Sequence, residues 1–266
     1  MIYSWNMLKS PLGDLGAKEI NILRRHGRQY ITDLRKAVLP EIFRGRPVIS
    51  DNISAAEAEM AGKLCPAGAI GMSPFSIDLG KCLFCMECAF ALPGKIRFTN
   101  DFKMASNVRE RLVIARGVVT PVALDPEKVR KEIRSFFKHA LKLRQVSAAG
   151  DNSAEMELNA AGNVNFDMGR YGIEFVASPR HADGIVITGP VSSAMAEALQ
   201  ICYEAVPSPK LIILAGTDAI SGGIFSGAAA LNRDFIDKND ADLFIPGNPP
   251  HPLTFVLGVL DLTGRK

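Results

Sequence analysis

Lys81-Cys-Leu-Phe-Cys-Met-Glu-Cys88 decides how the first half of this chain is read. Cys82, Cys85 and Cys88, at two-residue spacing, put three thiolates on one tight loop where their sulfurs can face three irons of a cubane, and Cys65-Pro66 can supply the fourth. The pattern predicts one 4Fe-4S cluster on Cys65, Cys82, Cys85 and Cys88. A structural zinc site is the alternative, but such sites are usually built from paired C-x2-C knuckles. The remaining cysteine, Cys202, lies in an apolar helical stretch and reads as an inert buried thiol.

Outward from this window, the 266 residues with 47% apolar content suffice for two modest domains. Five cysteines are too few for a secreted disulfide scaffold. The longest apolar stretches, near Gly184–Val191, Leu211–Gly216 and Leu253–Leu262, are too short to cross a bilayer as helices. Met1–Pro11 lacks the apolar core and cleavage pattern of a secretory signal, so the expected location is cytoplasmic.

The net charge of +3 hides an uneven distribution. Residues 1–48 hold nine Lys/Arg against four Asp/Glu, residues 104–145 hold ten against four, and residues 146–266 hold seven against fourteen. Basic segments suit an acidic protein face, an anionic lipid surface or simply solvent. No aromatic-rich basic patch points to nucleic acid.

Ile20, Leu23, Ile31, Leu34 and Val38 recur at helical spacing among arginines, which predicts an amphipathic helical arm over Ala17–Ile42. Asp125-Pro126-Glu127 reads as a helix start, with a capping acceptor and a proline at the first position, and the helix is expected to reach Lys142. After Gly150 strands alternate with helices: Gly184–Thr188, Ala194–Ala205, Leu211–Ala215, Leu243–Ile245 and Leu253–Leu262. That order predicts parallel strands with crossover helices, and directs attention to Gly189-Pro190, Gly216–Gly223 and Pro246–Pro252 at the carboxyl ends of the strands.

The cysteine window resembles bacterial-type ferredoxins through Cys65-Pro-Ala-Gly-Ala-Ile70, Ser76–Cys88 and Ile96-Arg-Phe98. In that family the run C-x2-C-x2-C-x3-C-P occurs twice, and the fourth cysteine of each run serves the other cluster. Counting back from Cys65 at the family spacing lands on Ala61, Ala58 and Ala55, and counting forward from Cys88 lands on Leu92 before Pro93. The resemblance implies one cluster kept whole and one deleted whole, with small apolar residues filling the vacated pocket.

Val186-Ile-Thr-Gly-Pro190, Met195–Leu199, Tyr171–Asp183, Ala219–Phe225 and Ile245-Pro-Gly-Asn-Pro-Pro250 resemble another group over about Leu141–Leu262. This is the small subunit of energy-converting NiFe hydrogenases and formate hydrogenlyases, related to the B-type (20 kDa) subunit of NADH-quinone oxidoreductase. Four cysteines hold a cluster in that family; the matching positions here are Asp151, Ala154, Asp218 and Asn248, so the resemblance implies a domain without one. Asp151, Asp218 and Asn248 could alternatively gather a hard cation. Arg180 and His181 could touch a partner or merely order their turn, and Gly222-Gly223 is a weak phosphate signal.

Together the two resemblances imply a fusion of an α+β ferredoxin-like module with an α/β, flavodoxin-like parallel-sheet domain, preceded by a helical N-terminal arm. The expected divisions are an arm at 1–48, the 4Fe-4S module at 49–103, a helical connector at 104–145 and the small-subunit-like domain at 146–266. The implied role is a non-catalytic electron-transfer subunit peripheral to the cytoplasmic side of a membrane. Its implied partners are a hydrogenase large-subunit-like (49 kDa-like) chain, membrane-arm subunits and an iron–sulfur or formate dehydrogenase-type donor. The alternative is a scaffold bridging the large subunit and the membrane arm. No nucleophile, acid–base pair or nucleotide loop marks the chain as an enzyme by itself.

Overall fold

The computed structural model describes residues 30–265. Its first unit reads β1 (Pro47–Ile49), α1 (Ala55–Leu64), β2 (Ile70–Met72), β3 (Phe75–Asp78), α2 (Glu87–Ala91) and β4 (Ile96–Phe98). β1 pairs antiparallel with β4, β2 pairs antiparallel with β3, and β5 (Val113–Ala115) joins the free side of β3. α1 begins with a reciprocal cap: Glu57 N–H donates to Ser54 Oγ at 3.3 Å, and Ser54 N–H donates to Glu57 Oε2 at 2.9 Å. Ala58 and Ala61 on its inner face, and Leu92 beyond α2, are buried in one core.

The second unit is a five-stranded parallel sheet. Its elements are β6 (Leu141–Ser147), α4 (Ser153–Ala160), β7 (Ile173–Phe175), β8 (Gly184–Thr188), α5 (Ser193–Ala205), β9 (Leu211–Ala215), α6 (Thr217–Ser221), α7 (Asp234–Lys238), β10 (Leu243–Ile245) and α8 (Pro252–Thr263); the short α3 (Lys131–Phe136) precedes them. The strand order is β10-β9-β8-β6-β7. β8 and β9 are buried along their whole length, as their β-branched and aliphatic runs require in a sheet covered on both faces. α8 is buried nearly throughout, capped at its start by the His251 imidazole, which accepts from Leu253 N–H at 3.2 Å.

The units share their interior. One continuous core includes Ile49, Phe75, Ile77 and Leu79 of the first unit with Ile185, Ile187, Leu214 and Ile220 of the second. The intervening chain is stitched to the sheet: Ser106 exchanges backbone hydrogen bonds with Phe244 on the β10 edge, and Thr254 Oγ1 donates to Phe102 O at 2.8 Å. At Gly258 on α8 a Cβ would come within 2.7 Å of Ala105, so this approach depends on glycine.

Two helical expectations are corrected. The helix expected from Asp125 to Lys142 is confined to Lys131–Phe136. Arg130 is drawn to Asp242 instead, and Leu141 and Leu143 enter β6, where both are fully buried; tertiary packing outweighs helical propensity. The stretch expected as a helical connector therefore contains a 3-10 turn (Arg109–Leu112), β5, α3 and the start of β6. Of the amphipathic arm, residues 17–29 lie outside the described residues. From Tyr30 to Ile42 there is one 3-10 turn, Leu34–Lys36, capped by Asp33 and packed through buried Leu34 onto the core that contains α8.

Candidate functional site: a thiol quartet beside a carboxylate pocket

The loop from Lys81 to Glu87 turns on two residues with left-handed backbone, Phe84 (φ 54) and Met86 (φ 72). The reversals curl the chain so that Cys82, Cys85 and Cys88 line one small cavity, of about 20 Å³, and Cys65 at the C-terminal end of α1 closes it. Ile70, Ile77 and Phe98 supply apolar walls. Two backbone donors aim at sulfur: Ala69 N–H at Cys65 Sγ, 3.2 Å, and Phe84 N–H at Cys82 Sγ, 3.3 Å.

Burial pushes the Cys82 thiol up to about 12, and the nearby Cys88, Cys65 and Cys85 add to the rise, while the Phe84 N–H opposes it. Burial, with Cys85 and Cys65, likewise pushes Cys88 up to about 11. Such thiols are protonated at neutral pH on their own; they become thiolates only with positive charge placed among them, as metal coordination does. Among the described residues no three or more His, Cys, Asp or Glu side chains could hold a metal ion. Four soft donors around one cavity, with amide donors to two sulfurs, fit a multi-iron cluster by donor chemistry.

The loop is held from outside. Asp78 accepts both guanidinium prongs of Arg109, and its backbone oxygen receives Lys81 N–H and Cys82 N–H. Arg44 donates to Phe84 O at 3.0 Å and Cys85 O at 3.4 Å. Thr217, from α6 of the other unit, donates its hydroxyl to Cys82 O at 2.9 Å.

Behind Thr217 lies a second, smaller pocket at the carboxyl ends of β6, β9 and β10. Asp151, Ala154, Asp218 and Asn248, the positions singled out by resemblance, all line it, together with Glu155. Gly150 and Gly189 let two of its loops touch, since a Cβ on Gly189 (φ +80) would collide with the Gly150 backbone. Asp151 accepts from Ser153 N–H and Oγ, which holds its carboxyl low. Burial and the Asp151 charge raise the Asp218 carboxyl. Asp218 Oδ1 and Glu155 Oε2 are buried with no hydrogen-bond partner, and Glu155 Oε1 accepts from Thr188 at 2.6 Å. Oxygen donors, and an alanine with none, do not fit an iron–sulfur cluster here.

Sequence reasoning missed Glu155, Thr217 and Arg44; a carboxylate in the first turn of α4 was the only local signal among them. Arg180 and His181 sit in a short 3-10 turn at the opposite ends of the strands from this pocket. Cys202, expected to be buried, is half-buried on α5 beside Arg144, where both line an open groove. No described helix is long and apolar enough to cross a membrane.

A family model described as "NADH ubiquinone oxidoreductase, 20 Kd subunit" matches residues 152–262. The probable membrane-bound hydrogenase subunit mbhJ of Pyrococcus furiosus is 31% identical over 134 residues, covering 50% of this chain and 80% of that one. An NADH-quinone oxidoreductase subunit of Citrifermentans bemidjiense is 37% identical over 110 residues, 41% of this chain and 64% of that one. Formate hydrogenlyase subunit 7 of Escherichia coli is 32% identical over 146 residues, 54% of this chain and 57% of that one. The chain thus spans somewhat less than two thirds of the latter two relatives.

Proposed function

Because the chain belongs to the NADH ubiquinone oxidoreductase 20 Kd subunit family, we propose that it is an electron-transfer subunit of a hydrogenase-like or complex I-like assembly, with one 4Fe-4S cluster on Cys65, Cys82, Cys85 and Cys88. The relatives named above are, by their names, subunits of membrane-bound hydrogenase, NADH-quinone oxidoreductase and formate hydrogenlyase. The observation that carries the cluster reading is the meeting of four thiols at one apolar cavity. The β-α-β-β-α-β order of the first unit, the order expected of a ferredoxin-like module, supports it.

A 4Fe-4S cluster supplies one-electron carriage. The chain's own residues do the rest: Ala69 and Phe84 direct amides at sulfur, and Ile70, Ile77 and Phe98 keep water from the cavity walls. Ala58, Ala61 and Leu92, at positions where the ferredoxin resemblance would put ligands of a second cluster, are buried apolar residues, which supports a single cluster. The parallel-sheet domain, whose pocket lacks thiols, acts as a redox-silent docking piece. Ile224 and Phe225 and the small residues that follow them to Ala230 are exposed beside that pocket, which supports a partner there, a large-subunit-like chain. The basic residues 1–48 favour membrane-arm subunits at the cytoplasmic face, with a separate iron–sulfur or formate dehydrogenase-type donor.

The test is anaerobic iron and acid-labile sulfide content with EPR of the reduced full chain. About four irons per chain are expected; about eight would refute the single-cluster reading, and zinc alone would remove the redox role. A purely bridging scaffold is the second reading, favoured by the missing thiols at Asp151, Ala154, Asp218 and Asn248. It predicts co-purification with partner subunits that persists when Cys82 and Cys85 are replaced by serine.

A further inference from the structure

Three peptide carbonyls of the cysteine loop are gripped by side chains that belong to neither the loop nor its ferredoxin-like unit. Thr217 takes Cys82 O, and Arg44 takes Phe84 O and Cys85 O. The Thr217 contact is specific. Its shorter hydroxyl bond goes to Cys82 O at 2.9 Å; Gly247 O, 3.2 Å away, already receives the Thr217 backbone N–H. The hydroxyl is buried, so water does not compete for it.

A peptide N–H points opposite to its own carbonyl, so holding Cys82 O, Phe84 O and Cys85 O fixes the directions of the Leu83, Cys85 and Met86 amides. Phe84 and Met86 in the same loop have left-handed backbone, the conformation from which anion-binding concavities are built. Successive N–H groups facing one concavity make a nest for negative charge. Phe84 N–H, of the Leu83–Phe84 peptide that lies between the gripped ones, points at Cys82 Sγ. A cluster bearing four thiolates gains negative charge on reduction, and dipoles aimed at its sulfurs stabilise that state.

We propose that Thr217 and Arg44 are positioning residues that raise the reduction potential of the cluster by locking the peptide dipoles of the Cys82–Cys85 loop. This rests on the reading that the quartet holds the cluster. It gives the thiol-free domain an influence on electron transfer that a mere docking piece lacks, because Thr217 stands on the rim of its vacated pocket.

The experiment uses the full chain, reconstituted anaerobically, with EPR-monitored redox titration of the wild type, Thr217→Val, Thr217→Ser, Arg44→Met and Arg44→Lys. Thr217→Val and Arg44→Met keep their iron, and their midpoints move negative. A roughly tenfold lower reduced-to-oxidised ratio at fixed potential is expected, about 59 mV for one electron. Thr217→Ser, which keeps the hydroxyl, titrates like the wild type. Iron-loaded Thr217→Val with an unchanged midpoint and unchanged EPR signature overturns the proposal. Should Thr217→Val lose its fold, the exposed Arg44→Met decides, and an unchanged midpoint there overturns it equally. A wild-type chain that takes up no iron sinks the cluster reading and this inference together, whereas iron with insensitive midpoints sinks only the inference.

Discussion

Arg109 grips Asp78 with both guanidinium prongs, Nη1 to Oδ1 at 2.8 Å and Nη2 to Oδ2 at 2.7 Å, directly beneath the turn that launches the cysteine loop. Asp78 Oδ1 also accepts from Gly80 N–H at 2.9 Å. A Cβ at Gly80 would lie 2.7 Å from Arg109 Cζ and 2.9 Å from Ile220 Cγ2, so the turn, the ion pair and the second unit converge on one bare backbone position.

Replacing Asp78 by Ala removes three hydrogen bonds and strands a partly buried guanidinium. The expected loss is about 1–3 kcal/mol. Gly80→Ala forces the Arg109 head and Ile220 apart and costs a similar ~1–3 kcal/mol as overpacking. Thermal or denaturant unfolding of the two variants measures both; a neutral Gly80→Ala would contradict the close approach.

Ala61 is fully buried and Leu92 nearly so. Leu92→Ala should cost about 2–5 kcal/mol through the cavity it opens. Ala61→Leu should cost about 1–3 kcal/mol. Placing cysteines together at 55, 58, 61 and 92 should leave iron near the wild-type content, because the first three positions lie on a capped helix rather than a ligand loop. A doubling of iron in that variant would show that the helix yields to a second cluster.

Glu57 is held down to about 2 against its ordinary 4.5, mainly by the Lys95 ammonium at 2.6 Å and then by the Ser54 backbone and hydroxyl. A lowered carboxylate contributes stability above its unfolded value, and that contribution disappears as pH falls from about 4.5 toward 2. The difference in unfolding midpoint between wild type and Glu57→Gln should therefore shrink over that window and be flat above it.

His251 moves in a different window. Burial lowers it to about 4 from 6.5, and its ring sits edge-on to Phe43 and Phe166 with Nδ1 accepting from Leu253. The unfolded chain takes the proton first, so the folded state loses stability as pH falls from about 6.5 to 4, on the order of 2–3 kcal/mol in all. His251→Asn keeps an acceptor at the helix start. Its pH profile between those limits should be flatter than that of the wild type.

How far these features can be read from residues alone differs along the chain. β8 and β9 fall on Gly184–Thr188 and Leu211–Ala215, as their uninterrupted aliphatic runs predict, and α5 begins one residue before its expected start. β6 was concealed because Leu141-Lys-Leu143 continues an apparently helical pattern, and its strand character comes from pairing with β7 and β8. β7, three residues long, has too little pattern to announce itself. The residues lining the carboxylate pocket were legible through family resemblance. Glu155 was not, since an acid in a first helical turn ordinarily faces solvent, yet here it is buried against Thr188. No local spacing could join Thr217 to Cys82, 135 positions apart.

The shared interior has a mechanical corollary. Phe75 and Leu79 from one unit and Ile187 and Leu214 from the other lie in the same packed core, leaving no seam that could serve as a hinge. The quartet's position relative to the parallel sheet is therefore set by packed side chains rather than by a tether.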